Sequence, residues 1–252
     1  PASLKKGMGR TRFQIAGGFG HRILKVVPGL VQLKGNDSFL KAMAGVRAQA
    51  GIRLYANGKM EATEKGEVQF TDYGISGIPV FQLSRIAAYE LEAGNKVQVL
   101  IDLFPDYDKE QFLHLIQSRF ETMQNVTLEE FLTGTVNKKI NLAMIKYMGL
   151  KPDMQVKRIP YDKIKKLLMA YRELTIHITA VNGMENAQVC AGGVDFREIT
   201  TEMESTKRQG LFFTGEVIDV DGKCGGYNLQ WAFSSGYIAG RNAAGSFTGE
   251  LR

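Results

Sequence analysis

The feature of this sequence that most constrains its fold is a long helical block that interrupts a series of β segments. Between residues 107 and 172 the apolar residues recur at spacings of three and four, as in "DKEQFLHLIQSRFETM" and "YDKIKKLLMAYREL", which is the pattern of amphipathic helices. The segments on either side, such as "RILKVV", "GIRLYA" and "LTIHITAVNG", have the composition of strands. The sequence therefore predicts an α+β chain of several modules, with short helices inserted between β segments.

Local turn and cap signals support this division in the first half of the chain. An Asn-Gly dipeptide at 57–58 separates two strand-like runs and is typical of a tight β-hairpin. A helix is predicted from about Ser76 to Glu92, with Ser76 as its N-cap, Pro79 in its first turn and Gly94 just past its end. The following run, "KVQVLIDLF", returns to a strand pattern.

Composition excludes several classes of protein. The hydrophobic share of 44% and the charged share of 23% are those of an ordinary globular protein. Cys190 and Cys224 lie far apart and have no histidine at ligand spacing, so neither a disulfide framework nor a metal site is predicted. No apolar run reaches the roughly 18 residues that a membrane span requires. The sequence therefore favours a soluble, cytoplasmic protein.

Positive charge is concentrated in two blocks. Residues 1–36 carry seven Lys/Arg and no acid, and residues 135–172 carry ten Lys/Arg against Asp153 and Asp162. Such a block can be a solvated helical surface, or it can contact nucleic-acid phosphates and displace their counterions; the sequence leaves both open. If the second block does contact nucleic acid, the candidate residues are Lys138, Lys139, Lys157, Arg158, Lys163, Lys165 and Lys166.

The stretch "GLFFTGEVIDVDGKCGGYNLQWAFSSGYIAG", residues 210–240, predicts a strand, a loop and a helix. The strand pattern ends in Gly215 and Glu216, where glycine allows close approach and the carboxylate can accept hydrogen bonds from a sugar or polyol. The pair Gly225-Gly226 precedes a helix expected to begin near Tyr227. Its unpaired N–H groups and partial positive charge would suit a heterocycle that gains negative charge on reduction.

Other interpretations of this stretch compete with a ligand site. A purely structural strand–loop–helix corner remains open, because glycines often precede helices. A calcium loop starting at Asp219 is excluded, since the EF-hand needs a glycine at position six and a glutamate at position twelve, whereas Gly222 falls at position four and Gln230 at position twelve. Cys224 could be a reactive thiol at a helix N-terminus, but an incidental small residue is the favoured interpretation.

The 210–240 stretch closely resembles the C-terminal flavin-binding segment of the BaiN/RdsA-like family of bacterial FAD-dependent oxidoreductases. Two further stretches are similar to that family, "GEVQFTDYGISGIPVFQLSR" at 66–85 and "CAGGVDFREITTEMEST" at 190–206. "GHRILKVVPGLVQL" at 20–33 matches less specifically. The matches run from residue 20 to about 244, so the resemblance covers most of the chain.

The resemblance implies a Rossmann-like FAD domain interrupted by a β-barrel-like domain that carries a small helical insert. On this plan residues 1–21 are a remnant or linker of the FAD domain, and residues 191–252 are its C-terminal part. The β-rich domain comprises 22–106 and 173–190, and residues 107–172 form the basic helical insert.

The resemblance also implies site residues. Glu216 would bind the ribityl chain of FAD, and the backbone around Gly226, Tyr227 and Asn228 would face the pyrimidine edge of the isoalloxazine. Glycines at four further positions would let the chain pass close to the cofactor: Gly192, Gly193, Gly215 and Gly225. Asp72 and Tyr73, in "FTDYGISG", are the candidates for the substrate side, and no catalytic acid stands out.

The implied chemistry is hydride transfer from NAD(P)H to the flavin and on to an activated C=C bond. The family is linked to steroid-like enones and to uridine in ribosomal RNA, and the basic insert favours RNA as the partner. His21, His114 and His177 are interpreted as structural.

One departure from the family concerns the phosphate-binding fingerprint. No G-x-G-x-x-G motif follows a strand; "KGMGRTR" places Arg12 where a third glycine should be. The sequence is therefore expected to be the C-terminal portion of a flavoprotein, with weak or absent FAD binding of its own. The alternative function is a non-catalytic RNA-binding or scaffold fragment whose flavin corner is vestigial.

Overall fold

The computed structural model of this chain describes residues 8–249, with side chains for 11–245, so the predicted segments 1–21 and 191–252 lie partly outside the described residues. Its contacts divide the chain into two compact units. The first combines the chain up to residue 31 with the chain from residue 181 onward, and the second comprises residues 32–180. Both contain helices and strands, so the mixed α and β class predicted from the sequence is confirmed.

The described residues include eight strands and eight α-helices. The strands are β1 (Ile23–Gly29), β2 (Leu33–Gly35), β3 (Arg47–Ala56), β4 (Lys59–Thr71), β5 (Gly74–Ser76), β6 (Val97–Asp102), β7 (Leu174–Val181) and β8 (Val189–Val194). The helices are α1 (Met8–Gly18), α2 (Leu40–Met43), α3 (Ile78–Glu92), α4 (Lys109–Thr122), α5 (Leu128–Leu132), α6 (Lys138–Tyr147), α7 (Tyr161–Ala170) and α8 (Tyr227–Gly249).

The second unit is built on a closed barrel with the strand order β2-β5-β4-β3-β6-β7. Its strands alternate inward and outward side chains, which is the period of a β-strand. Ile52 and Leu54 of β3 and Val99 and Ile101 of β6 are fully buried, and burying each such side chain stabilises the fold by about 1.5–3 kcal/mol. The expected β-barrel domain is therefore confirmed.

The turn and helix predictions in this unit hold except at one cap. β3 and β4 form a hairpin in which Asn57 and Gly58 both have positive φ, at 48° and 82°, as a two-residue turn of this kind requires. The N-cap of α3 is Gly77 and not Ser76. Ser76 instead ends β5, where it pairs with Gln69, and a Cβ at Gly77 would lie 2.3 Å from the Glu67 carbonyl oxygen.

The inserted helices α4 to α7 lie between β6 and β7, as the apolar spacing predicted. Asp108 and Thr127 each form a capping box at the start of α4 and α5, which satisfies backbone N–H groups that a helix start leaves unpaired. At the base of the insert, Arg172 donates to both carboxylate oxygens of Asp102, with N–O distances of 3.0–3.3 Å. The two ends of the insert are thereby tied together.

A buried polar network holds the insert in one arrangement. The hydroxyl of Tyr171, a side chain with no exposed surface, donates to Asn141 Oδ1 at 2.9 Å. Asn141 Nδ2 donates to the Leu132 carbonyl oxygen at 2.9 Å. Burial raises the pKa of the Tyr171 phenol, so the phenol is neutral and acts as a hydrogen-bond donor at physiological pH.

Replacing Asn141 tests this network. Asn141→Ala leaves the buried Tyr171 hydroxyl without its acceptor, which costs about 1–3 kcal/mol, whereas the Leu132 carbonyl oxygen keeps its hydrogen bonds from the N–H and hydroxyl groups of Thr135. We expect the free energy of unfolding to fall by about 1–3 kcal/mol in urea titrations. The control is Gln117→Ala, which removes an exposed hydrogen bond to Glu121 and should change stability by less than about 0.5 kcal/mol. Equal stabilities of the two variants would contradict the prediction.

The first unit contains α1, α8 and a two-stranded antiparallel sheet of β1 and β8. A small apolar cluster of Ala16, Val194, Phe213 and Ile218 forms its core. Because β1 pairs with β8, residues 22–31 and 181–190 group with the C-terminal segment in the observed division. The domain plan implied by the resemblance assigns residues 22–31 and 181–190 to the β-rich domain, and that plan stays a prediction.

The strand expected at residues 210–216 is not formed. Phe212 makes only an isolated bridge with Glu204, and the chain then enters a 3₁₀ turn at Gly215–Val217. Gly215 has a φ of 61°, a left-handed conformation through which no strand continues and which glycine adopts without steric cost.

Helix α8 buries small residues on one side and exposes large apolar side chains on the other. Ser235 and Ala239 are buried on one side, whereas Leu229, Phe233 and Tyr237 are 66%, 73% and 70% exposed on the other. Across the described residues, no helix is both long and apolar enough to cross a lipid bilayer.

Candidate functional site

The candidate site lies where the 3₁₀ turn at Gly215–Val217 meets the first turns of α8. The Gly215 N–H donates to Ser235 Oγ at 2.9 Å, and Trp231 Nε1 donates to the Gly215 carbonyl oxygen at 3.1 Å. Ser235 Oγ in turn donates to the Trp231 carbonyl oxygen at 2.6 Å. These bonds clamp both backbone groups of Gly215 to one side of α8, and they fix where the next residue, Glu216, can point.

The start of α8 is held by a reciprocal pair of hydrogen bonds. The Gly222 N–H donates to Asn228 Oδ1 at 2.8 Å, and Asn228 Nδ2 donates back to the Gly222 carbonyl oxygen at 3.0 Å. The first helical hydrogen bond runs from Gln230 N to the Gly226 carbonyl oxygen, so the N–H groups of residues 227–229 precede the helical ladder. Such groups carry the partial positive charge of a helix N-terminus.

Glu216 carries the negative charge of the site. Its Oε1 accepts a hydrogen bond from the Cys190 N–H, and its Oε2 lies 3.5 Å from Arg12 Nη1. Burial, and then the charge of Glu216, raise the pKa of the Cys190 thiol to about 11. Cys190 is therefore protonated at neutral pH and is not a nucleophile there.

These elements surround a cavity of about 450 Å³ in the first unit. Apolar side chains form much of its wall, and one carboxylate and the glycines before α8 complete it. The lining residues are Leu30, Gln188, Val189, Glu216, Val220, Cys224, Gly225, Gly226, Asn228, Leu229, Trp231 and Ala232.

A buried histidine in the same unit belongs to a separate hydrogen-bond network. His21 Nδ1 lies 3.1 Å from Glu198 Oε2, and His21 Nε2 lies 2.7 Å from Ser205 Oγ. Although this order of side chains is that of a hydrolytic triad, Ser205 is buried and its Oγ also accepts from the Lys207 and Arg208 N–H groups. The network holds a loop, which agrees with the structural role expected for His21.

Comparison with known proteins decides the family. The profile described as "HI0933-like protein barrel and H2TH domain" matches residues 27–189, which is more than half of the chain. The chain belongs to the HI0933-like family. The resemblance to BaiN/RdsA-like flavin oxidoreductases, stated from the sequence motifs, is thereby confirmed.

Three relatives illustrate the range of this family. The chain is 38% identical over 244 residues to the 3-dehydro-bile acid delta(4,6)-reductase of Clostridium scindens. It is 29% identical over 239 residues to the ribosomal RNA dihydrouridine synthase of Escherichia coli, and 30% over 236 residues to that of Haemophilus influenzae. The matches cover 96%, 94% and 92% of this chain but only 60%, 57% and 55% of the relatives.

The residues that line the cavity fit a flavin, which is the cofactor that membership of the HI0933-like family implies. The cavity volume of about 450 Å³ lies within the range of about 300–1,000 Å³ common for cofactor and ligand sites. The positive end of a helix and a carboxylate that can accept hydroxyl hydrogen bonds lie on the same cavity. A Cβ at Gly226 would meet nothing within 4 Å, so the backbone there is open to a flat ligand.

Four of the cofactor-binding residues expected in this HI0933-like chain line the cavity: Glu216, Gly225, Gly226 and Asn228. The other four lie around it. Gly215 is clamped to α8, Tyr227 is 64% exposed, and Gly192 and Gly193 pack against neighbouring backbone. A Cβ at Gly192 would lie 2.1 Å from the Lys25 carbonyl oxygen, and one at Gly193 would lie 2.5 Å from that of Val217. Chain packing thus explains both glycines, and their part in cofactor binding stays a prediction.

Several lining residues were missed from the sequence. Trp231 and Ala232 follow Asn228 at three and four positions along α8, so helical periodicity could have indicated them. Leu30, Gln188 and Val189 reach the cavity through the pairing of β1 with β8. That pairing joins residues about 160 positions apart in the chain, as in Gly29 with Val189, and no local signal reports it.

The remaining predicted residues lie in the second unit. Asp72 and Tyr73 form the exposed turn between β4 and β5. The seven basic residues all lie in the insert, with Lys138 paired to Glu129 at 2.6 Å and Lys163 and Lys166 exposed on α7. Within residues 8–249, no group of three or more His, Cys, Asp or Glu residues is arranged to hold a metal ion.

The charge coupling between Glu216 and Cys190 can be measured. Because the negative charge of Glu216 raises the pKa of the Cys190 thiol, Glu216→Gln should lower that pKa from about 11 toward its ordinary value. The measurement is an NMR titration of ¹³Cβ-labelled cysteine, in a Cys224→Ser background so that only Cys190 reports. The control, Glu185→Gln, removes an exposed carboxylate of the same unit. A Cys190 pKa that is the same in both variants would contradict the coupling.

Proposed function

We propose that this chain forms the part of a flavin-dependent reductase that binds the isoalloxazine ring and the ribityl chain. The observation that carries the proposal is the meeting of the α8 N-terminus and the Glu216 carboxylate at one largely apolar cavity. The cofactor is FAD and the reductant NAD(P)H. When bound, the flavin supplies hydride transfer from NAD(P)H to an activated C=C bond, which is reduced while the nicotinamide is oxidised.

The chain's own residues serve this chemistry by binding and by excluding water. The N–H groups at the start of α8 favour negative charge on the ligand edge that faces them. Glu216 accepts hydrogen bonds from hydroxyl groups of the ribityl chain. Leu30, Val189 and Val220 give the cavity apolar walls, which strengthen these electrostatic interactions by keeping water out.

A conjugated enone is the first substrate class to test. The relative named as a 3-dehydro-bile acid delta(4,6)-reductase is 38% identical to this chain, against 29% and 30% for the relatives named as ribosomal RNA dihydrouridine synthases. Reduction of a C=C bond would account for both names. The proposal for this chain is therefore a C=C reductase, with a steroid-like enone ahead of uridine in RNA.

The experiment is a titration of the purified chain with FAD, followed by flavin absorbance and fluorescence. We expect a perturbed spectrum, and at least about tenfold weaker binding for Gly226→Val, because Gly226 lines the cavity and has a φ of 93° that a valine rarely adopts. The matched control is Gly94→Val in the second unit, where φ is 79° and the added side chain also meets open space. Because this sequence has no phosphate-binding glycine motif, the binding is expected to be weak, and an unperturbed flavin spectrum over the whole titration would contradict the proposal.

We propose a second, independent function for the insert, which is binding to RNA phosphates. The observation that favours it is the arrangement of α7, where Lys163, Lys165 and Lys166 are accompanied by a single acid, Asp162. The apolar side of α7, with Ile164 and Leu167 fully buried, sets the side chains of Lys163 and Lys166 toward solvent.

Salt dependence tests this binding. In the triple variant Lys163→Gln, Lys165→Gln, Lys166→Gln, the slope of log K against log salt for a single-stranded ribosomal RNA fragment should become shallower by about 2, or about 0.7 for each phosphate that a lysine no longer neutralises. The control triple variant is Arg47→Gln, Lys59→Gln, Lys65→Gln, three cations of the barrel hairpin that are paired with carboxylates. If both triple variants keep the slope of the unaltered chain, α7 does not bind RNA.

A further inference from the structure

Arg12 lies next to the candidate cavity without being part of its wall. It belongs to α1, in the first unit, and it reaches the one carboxylate that lines the cavity. The sequence motifs did not indicate a role for Arg12. In the comparison with flavoproteins, it only occupies the position at which a third glycine is expected.

The guanidinium group of Arg12 is held by three neighbours. Nη1 lies 3.5 Å from Glu216 Oε2, and Nη2 lies 3.6 Å from the Cys190 sulfur. The Cζ atom lies 4.7 Å from the centre of the Phe13 ring, within the range of a cation–π contact. The side chains of Arg12 and Glu216 are only 25% and 20% exposed, so their attraction is less screened by water than that of a surface pair.

The two oxygens of Glu216 are thus fixed from two sides. The Cys190 N–H holds Oε1, and Arg12 faces Oε2. A carboxylate can accept about four hydrogen bonds, so Glu216 can keep these partners and still accept from a ligand. Arg12 Nε is itself buried and has no hydrogen-bond partner among the described residues.

We propose that Arg12 is a positioning residue that orients the Glu216 carboxylate and offsets its charge, so that Glu216 accepts hydrogen bonds from the hydroxyl groups of a polyol chain. The inference rests on the proposed function, in which that polyol is the ribityl chain of the flavin. Arg12 acts through Glu216 and does not touch the flavin ring.

The paired carboxylate of Glu216 and guanidinium of Arg12 favour a polyol over the other chemical groups of a dinucleotide. A carboxylate only accepts hydrogen bonds when ionised, so it repels a phosphate and gives no preference to an apolar ring. Hydroxyl groups are donors and carry no charge, and they suit a carboxylate whose charge is already offset by a guanidinium group.

The experiment compares two flavins by fluorescence titration of the full chain. Riboflavin carries the ribityl chain, whereas lumiflavin has a methyl group in its place and is otherwise the same ring system. Arg12→Met should weaken riboflavin binding about tenfold, which corresponds to about 1.4 kcal/mol, and should change lumiflavin binding by less than about twofold. Arg12→Lys should recover part of the loss, because the positive charge returns without the planar guanidinium geometry.

Two controls make the result specific. Arg22→Met removes an equal charge from the same unit, at an arginine whose side chain is 64% exposed and 4.0 Å from Asp195; it should leave both flavins unaffected. In the double variant of Arg12→Met and Glu216→Gln, riboflavin should bind no more weakly than in Glu216→Gln alone, since Arg12 acts through Glu216.

The outcomes separate this inference from the proposed function. If the unaltered chain binds both flavins and Arg12→Met weakens both equally, or neither, Arg12 is not a positioning residue for the polyol, while the flavin site stands. If the unaltered chain binds neither flavin, the proposed flavin function is wrong and this inference falls with it. Additive losses in the double variant would also overturn the inference, because they would show that Arg12 and Glu216 act separately.

Discussion

The candidate site depends on one clamp, the pair of hydrogen bonds between Gly215 and α8. Ser235 accepts from the Gly215 N–H and Trp231 donates to its carbonyl oxygen, so a residue in a left-handed conformation is held by the helix it precedes. Glu216 follows Gly215 directly. The direction of its side chain places the carboxylate within reach of Arg12 and of the Cys190 N–H. Without the clamp, the negative charge and the positive helix end would not share one cavity.

The sequence predicted those features that a few neighbouring residues determine. The Asn-Gly hairpin turn, the helical insert and the start of α8 after a glycine pair each follow from local backbone preferences. The two local predictions that were wrong have local causes as well. Ser76 pairs with Gln69 in β5, and the segment expected to be a strand at 210–216 makes only the isolated bridge between Phe212 and Glu204 before Gly215 turns left-handed.

The rest of the site could not be predicted because it depends on interactions between distant parts of the chain. Glu216 and the glycine pair were indicated by their residue types, but Leu30 and Val189 reach the cavity only through the β1–β8 pairing. Arg12 is separated from Glu216 by 204 positions. The net charge of residues 135–172 was also an imprecise guide to the accessible positive charge of the insert. It counts Lys138, which is paired with Glu129, together with the exposed lysines of α7.

The position of the insert has a consequence for the barrel that it interrupts. Ile101 of β6 pairs with Leu174 of β7, so these neighbouring strands are joined by some seventy intervening residues. As a flexible loop those residues would carry an entropy cost for bringing their ends together. In the folded chain they instead form α4 to α7, and the Asp102–Arg172 pair joins their two ends. The insert therefore holds the ends of β6 and β7 side by side as a structured connection.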